Sequence, residues 1–164
     1  MNNINVEKML VDCYDELLQI TSLLAGFGNT SPVALYLTKY ALIRACGAIE
    51  QSFKALIADR CAHRSKAQVK RFLDRKIRES SVNPSYSNIC CMLAEFDKVW
   101  QTDFKNGLKT NQNFLQIKTS LNSLVGARND FAHGGSPSTS IGDVIIYFAH
   151  SRIVIEQIDV VVSN

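Results

Sequence analysis

The sequence predicts an all-α fold, a helical bundle of four to five main helices, and two observations carry that prediction. Apolar residues recur at three- and four-residue steps through most of the chain, and the segments so marked are bounded by residues that start and stop helices. The one competing signal is the tail from Ile153 to Val162, whose β-branched residues would pass for a strand in isolation. No nearby segment offers it a second strand, so it reads as helix too. With 164 residues and no internal repeat or low-complexity stretch, a single domain spanning 1–164 is expected.

Taken in order, Met9, Cys13, Leu17, Ile20 and Leu24 mark a first amphipathic helix, ended by Gly26-Phe27-Gly28. Thr30-Ser31-Pro32 supplies a cap and a first-turn proline for a long second helix reaching about Cys61. Its buried face is expected to hold Leu35, Leu42, Cys46, Ile49, Phe53 and Leu56 or Ile57. Arg60 to Glu79 reads as a third amphipathic helix with Val69, Phe72, Leu73 and Ile77 on its apolar side. Val82-Asn83-Pro84-Ser85 is a turn, Ile89 to Trp100 a shorter helix, and the polar stretch Gly107 to Asn113 a loop. Phe114, Ile117, Leu121 and Leu124 open another helix, which Gly134-Gly135 ends. After the short connection Gly134 to Thr139, Ser140 and Asp143 form a capping box for the last helix. Val144, Ile145, Phe148, Ile155 and Ile158 fit its inner face.

Composition narrows the function. The hydrophobic fraction is 46%, and no apolar run approaches the roughly twenty residues needed to cross a bilayer. Met-Asn-Asn-Ile-Asn has none of the character of a signal peptide. Five cysteines make an odd count for a disulfide framework, and the adjacent Cys90-Cys91 pair lacks the two-residue gap of a zinc knuckle. Reduced thiols and a cytoplasmic location are expected. No metal and no cofactor is called for: there is no glycine-rich phosphate loop, paired catalytic carboxylates or cysteine–histidine metal spacing. The formal charge of +3 permits a nucleic-acid partner without demanding one.

One stretch breaks the apolar pattern. The next place on the stripe after Leu124 falls on Arg128, and a guanidinium carried toward a core needs a carboxylate to receive it. Glu50, beside the buried face of the second helix, is the best placed candidate; its ordinary fate is to face water. Asp130 is a second carboxylate that could compete for the same arginine. His133 follows five residues after Arg128, about 140° away on a regular helix, while Asn129 and His133 stack at i,i+4. Convergence of His133 with Arg128 therefore requires a distorted last turn or a partner chain. On residues alone, a buried arginine with a carboxylate partner and a histidine closing a helix end account for the same pattern.

Arg128-Asn129-Asp130-Phe131-Ala132-His133-Gly134 resembles the signature of the HEPN domains, an arginine and a histidine four to six residues apart, often with Asn after the Arg. The order long helix, signature, final helix is most similar to the RiboL-PSP-HEPN branch. The resemblance implies a small helical bundle, often a homodimer, whose active members are metal-independent ribonucleases of toxin and phage-defence systems. The expected function is then an endoribonuclease in which the substrate's own 2′-hydroxyl attacks the phosphate. His133 would move the proton and Arg128 stabilise the phosphorane anion; Asn129 would orient His133 or touch phosphate, and Glu50 would hold Arg128. One histidine per chain does not easily serve as both base and acid, so two signatures facing each other across a dimer are implied. A cognate antitoxin or regulatory protein would be a further partner. The alternative is a non-catalytic HEPN module that binds RNA or a partner protein. A nucleotide-modifying enzyme is a more distant possibility.

The third helix offers a place for RNA. Arg64, Lys66, Lys70, Arg71, Arg75, Lys76 and Arg78 face only Asp74 and Glu79, and Arg64, Lys70, Arg71 and Arg75 are the candidate phosphate contacts. A solvated charged face explains the same residues equally well. Trp100 and Phe104 could stack on bases, although aromatics at helical spacing more often belong to a core.

Overall fold

In the computed structural model, which describes residues 1–27, 31–136 and 138–163, the chain folds around its longest helix. The elements are α1 (Ile4–Leu24), α2 (Pro32–Ala62), α3 (Ala67–Leu73) running into a π-helical turn (Asp74–Arg78), α4 (Tyr86–Phe96), α5 (Lys98–Lys109), α6 (Phe114–Ala132) and α7 (Ile141–Ser163). α2 packs against α1 and α7 and also meets α6, while α6 runs along α7; α4 and α5 pair and close the bundle on α7 and α6. Phe53, Phe104 and Phe148 are fully buried at the centre, with Leu17, Leu42, Ile49 and Leu121 around them. No strand occurs among the described residues. No helix among them is long and apolar enough to cross a membrane.

The helix starts are written in side chains. Asn3, Ser31 and Ser85 accept hydrogen bonds from the first backbone N–H groups of α1, α2 and α4. At α7 the capping box forms: Asp143 N–H donates to Ser140 Oγ, and Ser140 N–H and Oγ both donate to Asp143 Oδ2. Those donors hold the Asp143 carboxyl below its ordinary range. Thr30 and Gly28, assigned above to the α1–α2 connection, lie outside the described residues.

Several expectations are corrected. The segment from Ile89 to Trp100 is two helices, because Asp97 adopts an extended backbone (φ −155°, ψ 121°) and its side chain caps Val99 N–H at 2.7 Å. α5 then continues to Lys109 through residues read as loop, held by Trp100, Phe104 and Leu108 at four-residue steps. Phe104 is buried and Trp100 packs against the core, so neither is available to stack on a base. The third helix begins at Ala67, not Arg60, since α2 runs on to Ala62. Val69 and Phe72 do not share its buried side: they are 44% and 59% exposed, and only Leu73 and Ile77 reach the core. Leu35 at the start of α2 is likewise exposed, its place in the core taken by Ala34 and Leu42.

Between α2 and α3, Arg64 has φ of 58°, the left-handed region where a β-carbon crowds the following carbonyl. It follows the C-cap His63, the position where helices usually place glycine. Arg64→Gly is therefore expected to stabilise the fold by about 0.5–1 kcal/mol, glycine's greater freedom when unfolded offsetting part of the relieved strain. For a chain of this size that raises Tm by about 2–3 °C. A thermal melt checks it, and a lowered Tm would show that the Arg64 side chain contributes more than its backbone loses.

Candidate active site

Glu50 is the centre of a three-residue charge cluster. From one turn later on α2, Lys54 Nζ donates to Glu50 Oε1 at 2.6 Å and also to the Ser80 carbonyl just past the π turn. Lys54 is 1% exposed, so its ammonium has exchanged water for these two oxygens. Across from it, Arg128 Nη2 on α6 lies 3.6 Å from Glu50 Oε2. Arg128 Nη1 donates to Asn129 Oδ1 at 3.2 Å. Beneath the pair, the thiol of Cys46 is buried and pushed up to about 12, mainly by desolvation, with Glu50 adding to the rise and Arg128 opposing it. Cys46 therefore stays a neutral floor to the site rather than a nucleophile.

Arg128 is not buried as the stripe suggested. Its side chain is 37% exposed at the rim of the α2–α6 groove, because a long side chain can keep its stem on apolar neighbours and its head in water. Asp130 does not compete for it; the Asp130 carboxylate lies over Gly135 instead.

The end of α6 explains where His133 goes. The helix is regular through Ala132, and His133 caps it at φ −92°, ψ 13°. Gly134 then takes φ of 88°; its N–H donates to Phe131 O at 3.0 Å, and Gly135 N–H donates to Asp130 O at 2.9 Å. This is a Schellman ending, and it fixes the chain reversal directly after the histidine. The His133 side chain is exposed, and no hydrogen bond or ion pair joins it to Arg128, Asn129 or Glu50 among the described residues. Within one chain the structure thus brings Arg128, Asn129 and Glu50 together and leaves His133 apart. Nearby, Lys39 Nζ lies 5.2 Å from the centre of the Phe131 ring, bracing the last turn against α2.

Arg64, Lys70, Arg71 and Arg75 all lie exposed on or just before α3 and its π turn, and none makes an ion pair or hydrogen bond with Glu50, Arg128 or Asn129 among the described residues. His150, half-buried where His63 and His133 are exposed, shares a 2.7 Å hydrogen bond with Ser120 and ties α7 to α6. Sequence reasoning missed Lys54, which its i,i+4 spacing from Glu50 could have flagged. It gave no sign of Ser80, because a backbone carbonyl carries no residue signature.

The sharing of Glu50 makes the cost of breaking the cluster unequal. Glu50→Gln leaves the buried Lys54 without a counter-charge and should cost about 3 kcal/mol or more. Lys54→Met leaves Glu50 with Arg128 and an aliphatic stem in place, so about 1 kcal/mol is expected. Urea unfolding of the two variants checks the order, and equal losses would argue against a shared carboxylate. In the native protein a thiol reagent at pH 8 should modify exposed Cys91 and spare Cys46 until the chain unfolds.

Comparison with known proteins adds one finding. Searches of curated proteins and of solved structures returned no match. The RiboL-PSP-HEPN family model matches residues 7–164, nearly the whole chain, including the α2 carboxylate, the signature at the end of α6 and the helix that follows it. The chain belongs to the RiboL-PSP-HEPN family.

Proposed function

We propose that the protein is a metal-independent endoribonuclease that acts as a homodimer, with Arg128, Asn129 and His133 as the reacting groups and Glu50 as the residue that positions Arg128. The observation that carries this reading is the state of Arg128. Its carboxylate partner is itself fixed by a buried lysine, yet more than a third of the arginine remains open to solvent, where a phosphate could reach it. A planar cation so held can meet the developing charge of a phosphorane with little reorganisation. His133, on an exposed helix end closed by an αL glycine, is placed to move protons at the same phosphate once a second copy supplies the facing surface.

A seam on α2 supports the dimer. Val33, Tyr36, Tyr40, Ile43, Gly47 and Glu50 follow one another at alternating three- and four-residue steps, the spacing of a helix-pairing stripe. The first four are 43–72% exposed, and a β-carbon on Gly47 would meet nothing within 4 Å, leaving a flat place where another backbone could approach. The stripe ends on the site carboxylate. Two copies packed along it would bring two Arg128 groups and two His133 groups to one cleft, giving both a base and an acid. Such an activity suits the toxin of a defence or toxin–antitoxin system held in check by a cognate protein. A non-catalytic module binding RNA or a protein is the second reading, and the separation of His133 from Arg128 within one chain is what favours it.

Incubated with RNA and EDTA, the wild-type protein should leave 2′,3′-cyclic phosphate or 3′-phosphate ends and spare DNA of the same sequence. Arg128→Ala and His133→Ala should each slow cleavage by about a hundredfold or more without loss of folding. Ile43→Asp should yield a folded monomer that does not cut, and a mixed dimer of one wild-type and one His133→Ala chain should be impaired, since it keeps only one of the two histidines. RNA left intact by a wild-type dimer, with or without Mg²⁺, would favour the binding module.

A further inference from the structure

Six cations without an ion pair among the described residues are gathered on one short arm of the chain. Arg44, Lys54, Arg78 and Arg152 are engaged with carboxylates at 3.1 Å or closer. By contrast Arg64, Lys66, Lys70, Arg71, Arg75 and Lys76, clustered on α3 and its approach, make no ion pair among the described residues. Arg78 takes up Asp74, so Glu79 is left as the one unengaged carboxylate of this arm. Like charges at this density repel one another, and the fold gains nothing from gathering them on one short helix. Arg64 is in addition held at a positive φ where glycine would fit better.

The same helix carries Phe72 and Val69, both exposed; Phe72 stands about 100° round the helix from Leu73, while Val69 lies one turn before Leu73 on the same stripe and is left uncovered. Arg75 and Lys76 follow Phe72 by three and four residues, about one turn further along the same arm, and both are exposed. An amphipathic peptide would need a continuous apolar groove, whereas here a single ring and one aliphatic neighbour stand among six cations. A flat ring flanked by positive charge matches an unpaired base with its phosphates on either side. Two clefts lie elsewhere, beside Thr38 and Leu42 and beside Asn3 and Asp59.

We infer that α3 is a binding platform for single-stranded RNA, on which Phe72 stacks an unpaired base while Arg64, Arg71, Arg75 and Lys76 hold the flanking phosphates. The platform is tied to the cleavage site through Lys54, which links Ser80 at the end of this arm to Glu50. Glu50 lies twelve residues, about 18 Å, along α2 from Ala62, where the arm begins. A strand held on α3 would thus be kept near Arg128 without occupying it. The inference takes RNA as the ligand, as the proposed activity does, and its test separates binding from cutting.

The probe is a fluorescent, fully 2′-O-methylated single-stranded oligonucleotide, which lacks the nucleophile and stays intact, beside a duplex of the same length. Phe72→Ala should weaken single-strand binding by about fivefold to a hundredfold and leave duplex binding unchanged, since duplex bases are not free to stack. Phe72→Trp should restore affinity, and its emission should fall on binding. Arg75→Gln should lower the slope of log affinity against log salt by about 0.7. Because Phe72 is exposed, its variants should melt with the wild type. Equal affinity of Phe72→Ala and wild type for the single strand would overturn the platform, as would displacement by poly-glutamate as efficient as by unlabelled RNA. Unmodified RNA supplies the second readout. If it stays uncut while Phe72 still governs binding, the nuclease reading fails and the platform stands; if it is cut and Phe72→Ala binds normally, the platform alone fails.

Discussion

The contact on which the site depends is the carboxylate of Glu50, shared between a buried ammonium and a half-exposed guanidinium. Lys54 approaches to 2.6 Å and is shut off from water, while Arg128 stays at 3.6 Å and keeps part of its solvent shell. The short contact belongs to the fold: a charged lysine at 1% exposure persists only with such a partner and the Ser80 carbonyl. The longer one belongs to the site. Because Lys54 fixes Glu50, Glu50 can hold Arg128 in direction without drawing its charge fully into an ion pair. Three separate pieces of chain, α2, the loop after the π turn and α6, are joined through Lys54 and Glu50.

The two ends of the signature are built differently. Arg128 stands on a regular turn of α6, backed by the apolar stripe of Ile117, Leu121 and Leu124. His133 stands on the last residue before a reversal that Gly134 fixes with φ of 88°. A regular helix keeps the two side chains about 140° apart, and nothing in the closing turn rotates them together. The regular helix that carries Arg128 is therefore also what keeps His133 apart from it within one chain. In the proposed dimer, the exposed α2 seam that ends on Glu50 is where a second copy would pack.

Much of this was legible from residues. The stripe ending on Arg128, the glycines after His133, the Ser140–Asp143 box and the helical reading of the β-branched tail all follow from local rules, and each is found in the structure. What was not legible depended on distance in three dimensions. The depth of Arg128 could not be read because a stripe gives direction, not how far a long side chain reaches past it. Asp97 was missed as a helix boundary because an aspartate inside an apolar pattern looks like a surface residue until its backbone is seen extended. Val69 and Phe72 were placed inside because hydrophobic residues at helical spacing usually are. Their exposure is the more informative outcome: Phe72 stands off the stripe of Leu73 and Ile77, and Val69 stands on it but one turn before the bundle covers it.

The distribution of charge completes the argument. A formal charge of +3 spread evenly would steer no ligand in particular. Here Arg44 with Glu16 joins α1 to α2, Arg152 with Glu7 joins α7 to α1, and Arg78 with Asp59 fastens the π turn to α2, so these cations are spent on assembly. The densest group of cations without such a partner lies on α3 and its approach, on exposed positions. Arg128 is intermediate, restrained by one carboxylate and still open on one side. On the proposed reading, a polyanion is held on α3 and reacts at Arg128, and such a division needs both kinds of cation. Cations that only bind must be mobile and numerous, whereas the one that meets a transition state must already be aimed before the substrate arrives.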